Sequence, residues 1–485
     1  MADRLDLAAA LVRHALTRPH APALHWHDET VSYAELHASA LRAANRLAGL
    51  DLGRDEPVAV VAAKSPAAIA LVLGCLITRR PVLLPSPALP EQTLTALAEQ
   101  AGCRYVLGVG DTRTVTPGPP VVPAGTAMLL TTSGSTGLPK VVPVPAGAMR
   151  RFAAWAGDAF GLGPGRAVLN YAPLNFDLCL LDVWATLAHG GAVVLVDPER
   201  ATQGRHLAGL LTRHDVAVVQ AVPMAFGLLQ ETGETFGAVR HAMVTGDAVA
   251  ERTLAGLPAL FPGARLHNVY GCTETNDSFV HEIDPAEGTP VPIGRPLPGV
   301  AAAVVDAAGA VLDGPGEGEL YVRTPFQTPG YLDPARTAER FTTDPRGLDA
   351  EPWYRTGDLV RRDAAGRLLL IGRSDFQVKI RGVAVNTAEI ERILLAHPDI
   401  VEAAVVAGPD PVAGHRLLST VRRRPASRIN SLTLRQHCAG RLPRAAIPSV
   451  LRIVDDPLPR TSTGKVDRTA VGRLAEPVAA EERKS

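Results

Sequence analysis

Apolar and polar positions along the chain fall into two rhythms. Short runs rich in Val, such as Pro57–Ala62 (PVAVVA), Ala192–Val196 (AVVLV), Val216–Val219 (VAVV) and Ala242–Val244, are separated by longer Ala/Leu stretches at helical spacing. β-Branched residues are stiff at χ1 and suit a pleated surface, whereas Ala and Leu lose little freedom in a helix. Alternation of the two predicts an α/β fold with layered, largely parallel sheets over roughly the first 370 residues. From about Ala301 the texture changes to short strands with close turns, AAAVVDAAGAVLD, GELYVRTP and GRLLLIGR, which predict a small antiparallel β unit. After Arg373 the segment VKIRGVAVNTAEIERILLAHPDIVEAAVV reads as strand, amphipathic helix and strand. This predicts a large N-terminal domain over residues 1–374 and a smaller α+β C-terminal domain over 375–485.

The opening residues, MADRLDLAAALVRHALTRPHAP, alternate charge with apolar residues at helical spacing and predict an amphipathic helix rather than a signal peptide. The longest apolar run, Ala68–Ile77 (AIALVLGCLI), is about half a membrane span and is closed by Arg79-Arg80, so a buried helix is expected. With 485 residues the chain exceeds one compact core. Lys+Arg and Asp+Glu are both 49, so no net charge draws the protein to nucleic acid or an anionic membrane. Five scattered Cys form neither a disulfide framework nor a zinc pattern, and a cytoplasmic location is expected. Only five of the 49 basic residues are Lys (Lys64, Lys140, Lys379, Lys465 and Lys484). In a chain so rich in Arg, each retained Lys is a candidate for a site needing a compact ammonium rather than a planar fork.

The sharpest chemistry lies in Leu129–Lys140, LLTTSGSTGLPK. An apolar strand runs into Thr132, Ser133, Gly134, Ser135, Thr136 and Gly137, then Pro139-Lys140. Small residues let backbone N–H groups crowd round an anion, hydroxyls add donors and Lys140 adds charge, which together make a phosphate cradle. Its spacing is not that of the GxxxxGK P-loop.

This string resembles the phosphate loop of the acyl-adenylate-forming superfamily, which includes acyl-CoA synthetases, luciferases and the adenylation enzymes of nonribosomal peptide synthesis. Four further segments resemble its motifs in the same order: Asn268–Thr275 (NVYGCTET), Trp353–Leu359 (WYRTGDL), Gly372–Gly382 (GRSDFQVKIRG) and Pro459–Val466 (PRTSTGKV). The resemblance implies ATP and Mg²⁺ as cofactors. It gives Asn268, Tyr270 and Gly271 to the nucleotide, with Tyr270 stacked on adenine. Thr273 would contact the α-phosphate and Glu274 would hold the metal. Asp358 and Arg373 would take the ribose. Lys465 would be the catalytic ammonium of the first half-reaction, and Asp375 the hinge about which a mobile C-terminal domain turns. After Arg381-Gly382 the chain reads Val383-Ala384-Val385-Asn386, where peptide-synthetase relatives have Arg and Glu, so contacts made by those two are not expected here.

The acyl substrate is read from Asn175–Gly191, NFDLCLLDVWATLAHGG, which resembles the corresponding segment of amino-acid adenylation enzymes. Phe176 matches the gating aromatic and Asp177 the partner of the substrate's amine; a carboxylate there wants a cationic counter-charge. The family's specificity positions fall on Asp177, Leu178, Leu181, Met224, Met243, Thr245, Val269, Asp277 and Ser278, with Gly246 adjoining. That wall is mostly apolar and medium-sized, so a small uncharged side chain is expected. The segment is similar to stand-alone prolyl-carrier-protein ligases, which makes L-proline the first candidate, and also to D-alanine carrier-protein ligases. An acyl-CoA synthetase for a non-amino acid remains the alternative. Asp277 could instead read a second amine or hydroxyl. The expected acceptor is the phosphopantetheine thiol of a separate carrier protein.

Overall fold

Backbone packing divides the chain into two units: Met1–Pro315 with Tyr321–Thr356 and Arg362–Leu369, and Gly316–Leu320 with Gly357–Arg361 and Leu370–Ser485. The computed structural model describes residues 6–53, 55–119, 122–132, 138–247, 249–374, 377–380, 383–410, 414–439, 441–442, 446–461 and 464–475.

In the first unit two mixed sheets carry the layers. The order in the nine-stranded sheet is Arg295–Pro296, Asn276–Glu282, Arg265–Cys272, His241–Thr245, Val216–Ala221, Ala167–Asn170, Ala192–Leu195, Pro22–Trp26 and Glu29–Ser32. Its interior pairs are parallel and antiparallel pairing is confined to the margins. Parallel strands are covered on both faces, which is why Val216–Ala221 is buried at every position and its first four residues read as one apolar run. A six-stranded sheet pairs Thr126–Thr132 with Lys140–Pro145 at one edge, so the two ends of the Ser/Gly segment lie on adjacent strands.

Helix geometry follows local chemistry. Ser65 caps Pro66–Ile77 through a bond from the Ala68 N–H, with Pro66 in the first turn. This helix is the apolar run expected to be buried, and residues 68–75 are buried. At Gly74 a Cβ would meet the Cβ of Ala43 at 2.7 Å, so its absence lets the helix lie close against Tyr33–Ala48. Leu7–Thr17 forms the expected amphipathic helix, burying Leu7, Ala10, Leu11 and His14.

The second unit contains a three-stranded sheet, Ile400–Asp410, Gly414–Arg423 and Val450–Val454, with helices Thr387–Leu395, Ser431–Ala439 and Arg468–Ala475. Ile390, Leu394, Val405, Val421 and Leu434 form part of its core. The α/β architecture expected from the hydrophobic pattern is therefore the one observed.

Candidate active site

Two strand ends of the nine-stranded sheet carry most of the motif residues. Ala167–Asn170 and Arg265–Cys272 run in the same direction with two parallel strands between them. Their carboxyl ends thus open on one edge, where open α/β sheets bind ligands. Beyond Asn170 the chain loops out through Phe176, Asp177 and Leu178 before entering a π-helix, Leu180–Ala185. Beyond Cys272 it turns through Thr273, Glu274 and Thr275 and returns as Asn276–Glu282. The register slips at Tyr270/Gly271, and a Cβ on Gly271 would run into the carbonyl of Asn276. Asn276 itself has φ 58°, a left-handed conformation that Asn tolerates better than most residues.

This turn joins two expected roles. Thr273 Oγ1 donates to Asp177 Oδ2 at 2.8 Å, and the Leu178 N–H donates to Asp177 Oδ1 at 2.9 Å. Buried Glu274 accepts from the Tyr331 hydroxyl at 2.6 Å, and that hydroxyl lies 3.3 Å from the Tyr354 hydroxyl. Burial, then the charge of Glu274, pushes the Tyr331 phenol well above its ordinary range, so it stays a donor. Lys140 Nζ sits 5.0 Å over the Tyr331 ring, a cation–π contact that links the Ser/Gly segment's lysine to the partner of Glu274. Thr132 pairs with Lys140 across the two edge strands, and its buried hydroxyl has no hydrogen-bond partner among the described residues. Ser133, Gly134, Ser135, Thr136 and Gly137 lie outside the described residues, as does Asp375. Asn268 donates to the Pro292 carbonyl at 2.8 Å, and Tyr270 packs edge-on to Phe279.

Leu181, Met243 and Val269 are buried in one apolar cluster, with Phe176 and Leu178 packed against it. Thr245 is buried, Met224 half-buried and Gly246 exposed. The Ser278 hydroxyl is engaged in the turn, donating to the Asn276 carbonyl at 3.0 Å and to Thr275 Oγ1 at 3.1 Å. Asp277 is buried; desolvation, then repulsion from Asp177, pushes its carboxyl up to about 7, and Gln220 pulls it only partly back.

In the second unit Arg373 donates to Asp358 at 2.6 Å, so the two residues expected at the ribose are ion-paired. Lys465 is exposed on a tight loop closed by an Arg460–Val466 bridge and by the Thr461 N–H bonding the Lys465 carbonyl at 2.8 Å. Arg460 anchors that loop to Glu402 at 2.8 Å.

Magnesium asks for one or two carboxylates and completes its shell with water and phosphate oxygens. Among the described residues no group of three or more His, Cys, Asp or Glu could hold a metal ion. The donor set fits magnesium held by Glu274 only with phosphate oxygens supplying the rest. Sequence reasoning missed Tyr331 as the partner of Glu274, Tyr354 as the neighbour of the Tyr331 hydroxyl, and the buried Asn170, Asp182 and Gln220. Tyr331 sits in a loop with no local signal, and its role exists only through tertiary contact.

Residues 11–119 and 110–332 match the AMP-binding enzyme family, and residues 389–465 match the AMP-binding enzyme C-terminal domain. The chain belongs to this family. As an AMP-binding enzyme it is an adenylate-forming ligase. It is 36% identical to an L-proline–(L-prolyl-carrier protein) ligase of Streptomyces coelicolor, over 98% of this chain and 91% of that protein. A protein of the same name from Pseudomonas fluorescens is 32% identical over 81% of this chain and 77% of its own length. The fold matches the ATP-bound MatB of Rhodopseudomonas palustris with a TM-score of 0.82 and 25% identity, covering 97% and 98% of the two chains. Among the described residues of this AMP-binding enzyme, no helix is long and apolar enough to cross a membrane.

Proposed function

We propose that this enzyme activates a small amino acid, L-proline first among the candidates, as its aminoacyl-adenylate and transfers it to the phosphopantetheine thiol of a separate carrier protein. The observation that carries the reading is the Asp177 carboxylate, held by Thr273 and set beside the apolar wall of Leu181, Met243 and Val269. An anionic group there is matched by a substrate ammonium, and the apolar wall by a small uncharged side chain. The names of the two prolyl-carrier-protein ligases support proline.

In this reading Asp177 binds the amine while Thr273 ties it to the phosphate side, so substrate carboxylate and α-phosphate are brought together by one hydrogen-bonded unit. Thr132 and Lys140 serve the triphosphate. Tyr270 and Asn268 serve the base, and Asp358 and Arg373 the ribose. Glu274, oriented by Tyr331, would hold magnesium, which neutralises phosphate charge when bound. Lys465 supplies an ammonium to the charge that gathers as the carboxylate attacks phosphorus and pyrophosphate leaves.

Asp277 favours a second reading within the same class. A buried carboxyl that takes up a proton near neutral pH can hydrogen-bond a hydroxyl or amine on the substrate side chain, which proline lacks. Amino-acid-dependent ATP–pyrophosphate exchange tests both readings, using L- and D-proline, L- and D-alanine, and their hydroxyl- and amino-substituted analogues. Exchange with an unsubstituted small amino acid supports the first, and exchange only with a substituted one supports the second. Exchange driven solely by carboxylates that lack an amine overturns the proposal.

A further inference from the structure

Lys64 belongs to none of the recognised motifs, yet it is a lysine retained in a chain with 44 Arg, and it is 5% exposed. It follows the strand Val58–Val60 and precedes the Ser65 cap of the next helix. Its ammonium donates to the carbonyls of Asn170 at 3.0 Å and Tyr171 at 3.1 Å, where the chain leaves the sheet for the loop bearing Asp177. At that point the loop is pinched from both sides. Asn170 Nδ2 donates to the Ala172 carbonyl at 3.2 Å, to Cys179 Sγ at 3.3 Å and to Asp182 at 3.4 Å. Cys179 Sγ donates in turn to the Pro173 carbonyl at 3.1 Å. The Asp182 N–H bonds the Leu178 carbonyl at 3.1 Å, which closes the far side.

The bonds therefore form a neck around the loop from Ala172 to Cys179, and the loop presents Phe176 and Asp177, both half-buried. Asp182 and Asn170 are both 0% exposed, and the Oδ1 atom of each has no hydrogen-bond partner among the described residues. Acceptors buried in this way are costly unless a positive charge lies near. The ammonium of Lys64 supplies that charge, although burial still holds the Asp182 carboxyl well above its ordinary range, with the Asn170 hydrogen bond and the Lys64 field pulling it only partly back. A guanidinium would bring a planar fork into a site whose two acceptors are adjacent backbone carbonyls, which a compact ammonium satisfies.

We infer that Lys64 is a positioning residue for the amine-binding loop: through the carbonyls of Asn170 and Tyr171 it clamps the neck of residues 172–179 and so holds Asp177 against Thr273. Its link to substrate selection rests on the amino-acid reading given above, whereas its hold on the loop does not.

The test has two arms. The first needs no substrate. In the full-length protein, Lys64→Met should speed backbone hydrogen exchange in residues 172–182 by about tenfold, and leave the strand Val216–Ala221 unchanged. Unaltered exchange in the loop, or acceleration spread equally through both segments, overturns the clamp. The second arm uses ATP–pyrophosphate exchange with the amino acid the wild type prefers. Lys64→Met should raise the amino-acid KM about 10- to 100-fold while the ATP KM moves less than about twofold. Placed on Asp177→Asn, the same substitution should add less than about a further twofold, because its effect passes through Asp177. Independent, multiplying losses, or equal rises in both KM values, would show a general structural defect instead. Should Lys64→Met not fold, Asn170→Leu keeps the volume, removes the side-chain bonds to Ala172, Cys179 and Asp182, and is expected to give the same loop exchange and the same split. A wild type with no amino-acid-dependent exchange would overturn the amino-acid reading while leaving the first arm to decide the clamp.

Discussion

Asp177 and Thr273 meet in a single hydrogen bond, and this changes what each is expected to do. Sequence comparison gives one to the amine and the other to the phosphate; the bond makes them a unit. Replacing Asp177 by Ala should therefore raise the amino-acid KM and cost about 2–4 kcal/mol in kcat/KM, with the ATP KM near normal. An unchanged kcat/KM for the preferred amino acid would remove the amine-anchoring role. Glu274 illustrates the complementary case. Its carboxylate is held by a 2.6 Å bond from Tyr331, and such a charge-assisted bond is worth about 1.5–3 kcal/mol. A Tyr331→Phe variant should need about five- to tenfold more Mg²⁺ for half-maximal exchange, and its amino-acid KM should stay constant. A shift in the amino-acid KM at unchanged Mg²⁺ requirement would argue against Glu274 as the metal ligand. Motif residues of this kind were legible because they cluster in short strings such as NVYGCTET. Tyr331, which orients one of them from 57 positions away, carried no such mark.

Among the elements, parallel strands were the most legible, because burial on both faces writes an uninterrupted apolar run such as Val216–Val219. The π-helix Leu180–Ala185 was not, since its extra residue per turn leaves no distinct period in six residues. Nor was the histidine pair on the strands His241–Thr245 and Arg265–Cys272. His241 Nδ1 and His267 Nε2 lie 3.1 Å apart, the rings stack, and Phe160 packs edge-on against both. Burial, then the neighbouring His241, lowers His267 to about 4 from an ordinary 6.5. Above pH 6.5 both folded and unfolded states hold it neutral and stability is unaffected. Between pH 6.5 and 4 the unfolded chain takes a proton that the folded one refuses, so stability falls with falling pH. At pH 5 the loss amounts to about 2 kcal/mol relative to pH 7.5. All four Trp (Trp26, Trp155, Trp184 and Trp353) lie in the first unit, so their fluorescence in urea reports its unfolding alone. His267→Gln should reduce the total loss between pH 7.5 and 5 by about 2 kcal/mol, while His25, also lowered to about 4 by burial, keeps its own share. An identical slope in the variant would place the acid sensitivity elsewhere.

At the scale of the whole molecule, five ordered motifs announce an adenylate-forming ligase, and the two-unit division follows from backbone packing. The loop that lifts Lys465 into solvent was readable from its Gly and Thr content, but its anchoring by Arg460 and Glu402 was not, because it joins residues 58 apart. Substrate identity was the least legible property. The side chains proposed for the pocket, such as Met243 and Val269, come from separate strands, and burial, then repulsion from Asp177, is what brings Asp277 up to about 7. We propose that one chain carries out both adenylation and thioester formation, with Lys465 serving only the first. Single-turnover quench of Lys465→Ala tests this directly, run once from amino acid and ATP and once from pre-made aminoacyl-adenylate, each with phosphopantetheinylated carrier protein. Adenylate formation should fall by about 10²–10³, the cost of losing one stabiliser of developing charge, while transfer from supplied adenylate stays within about twofold of wild type. Equal loss of both steps, or adenylate formation at the wild-type rate, would contradict a role for Lys465 in adenylation alone.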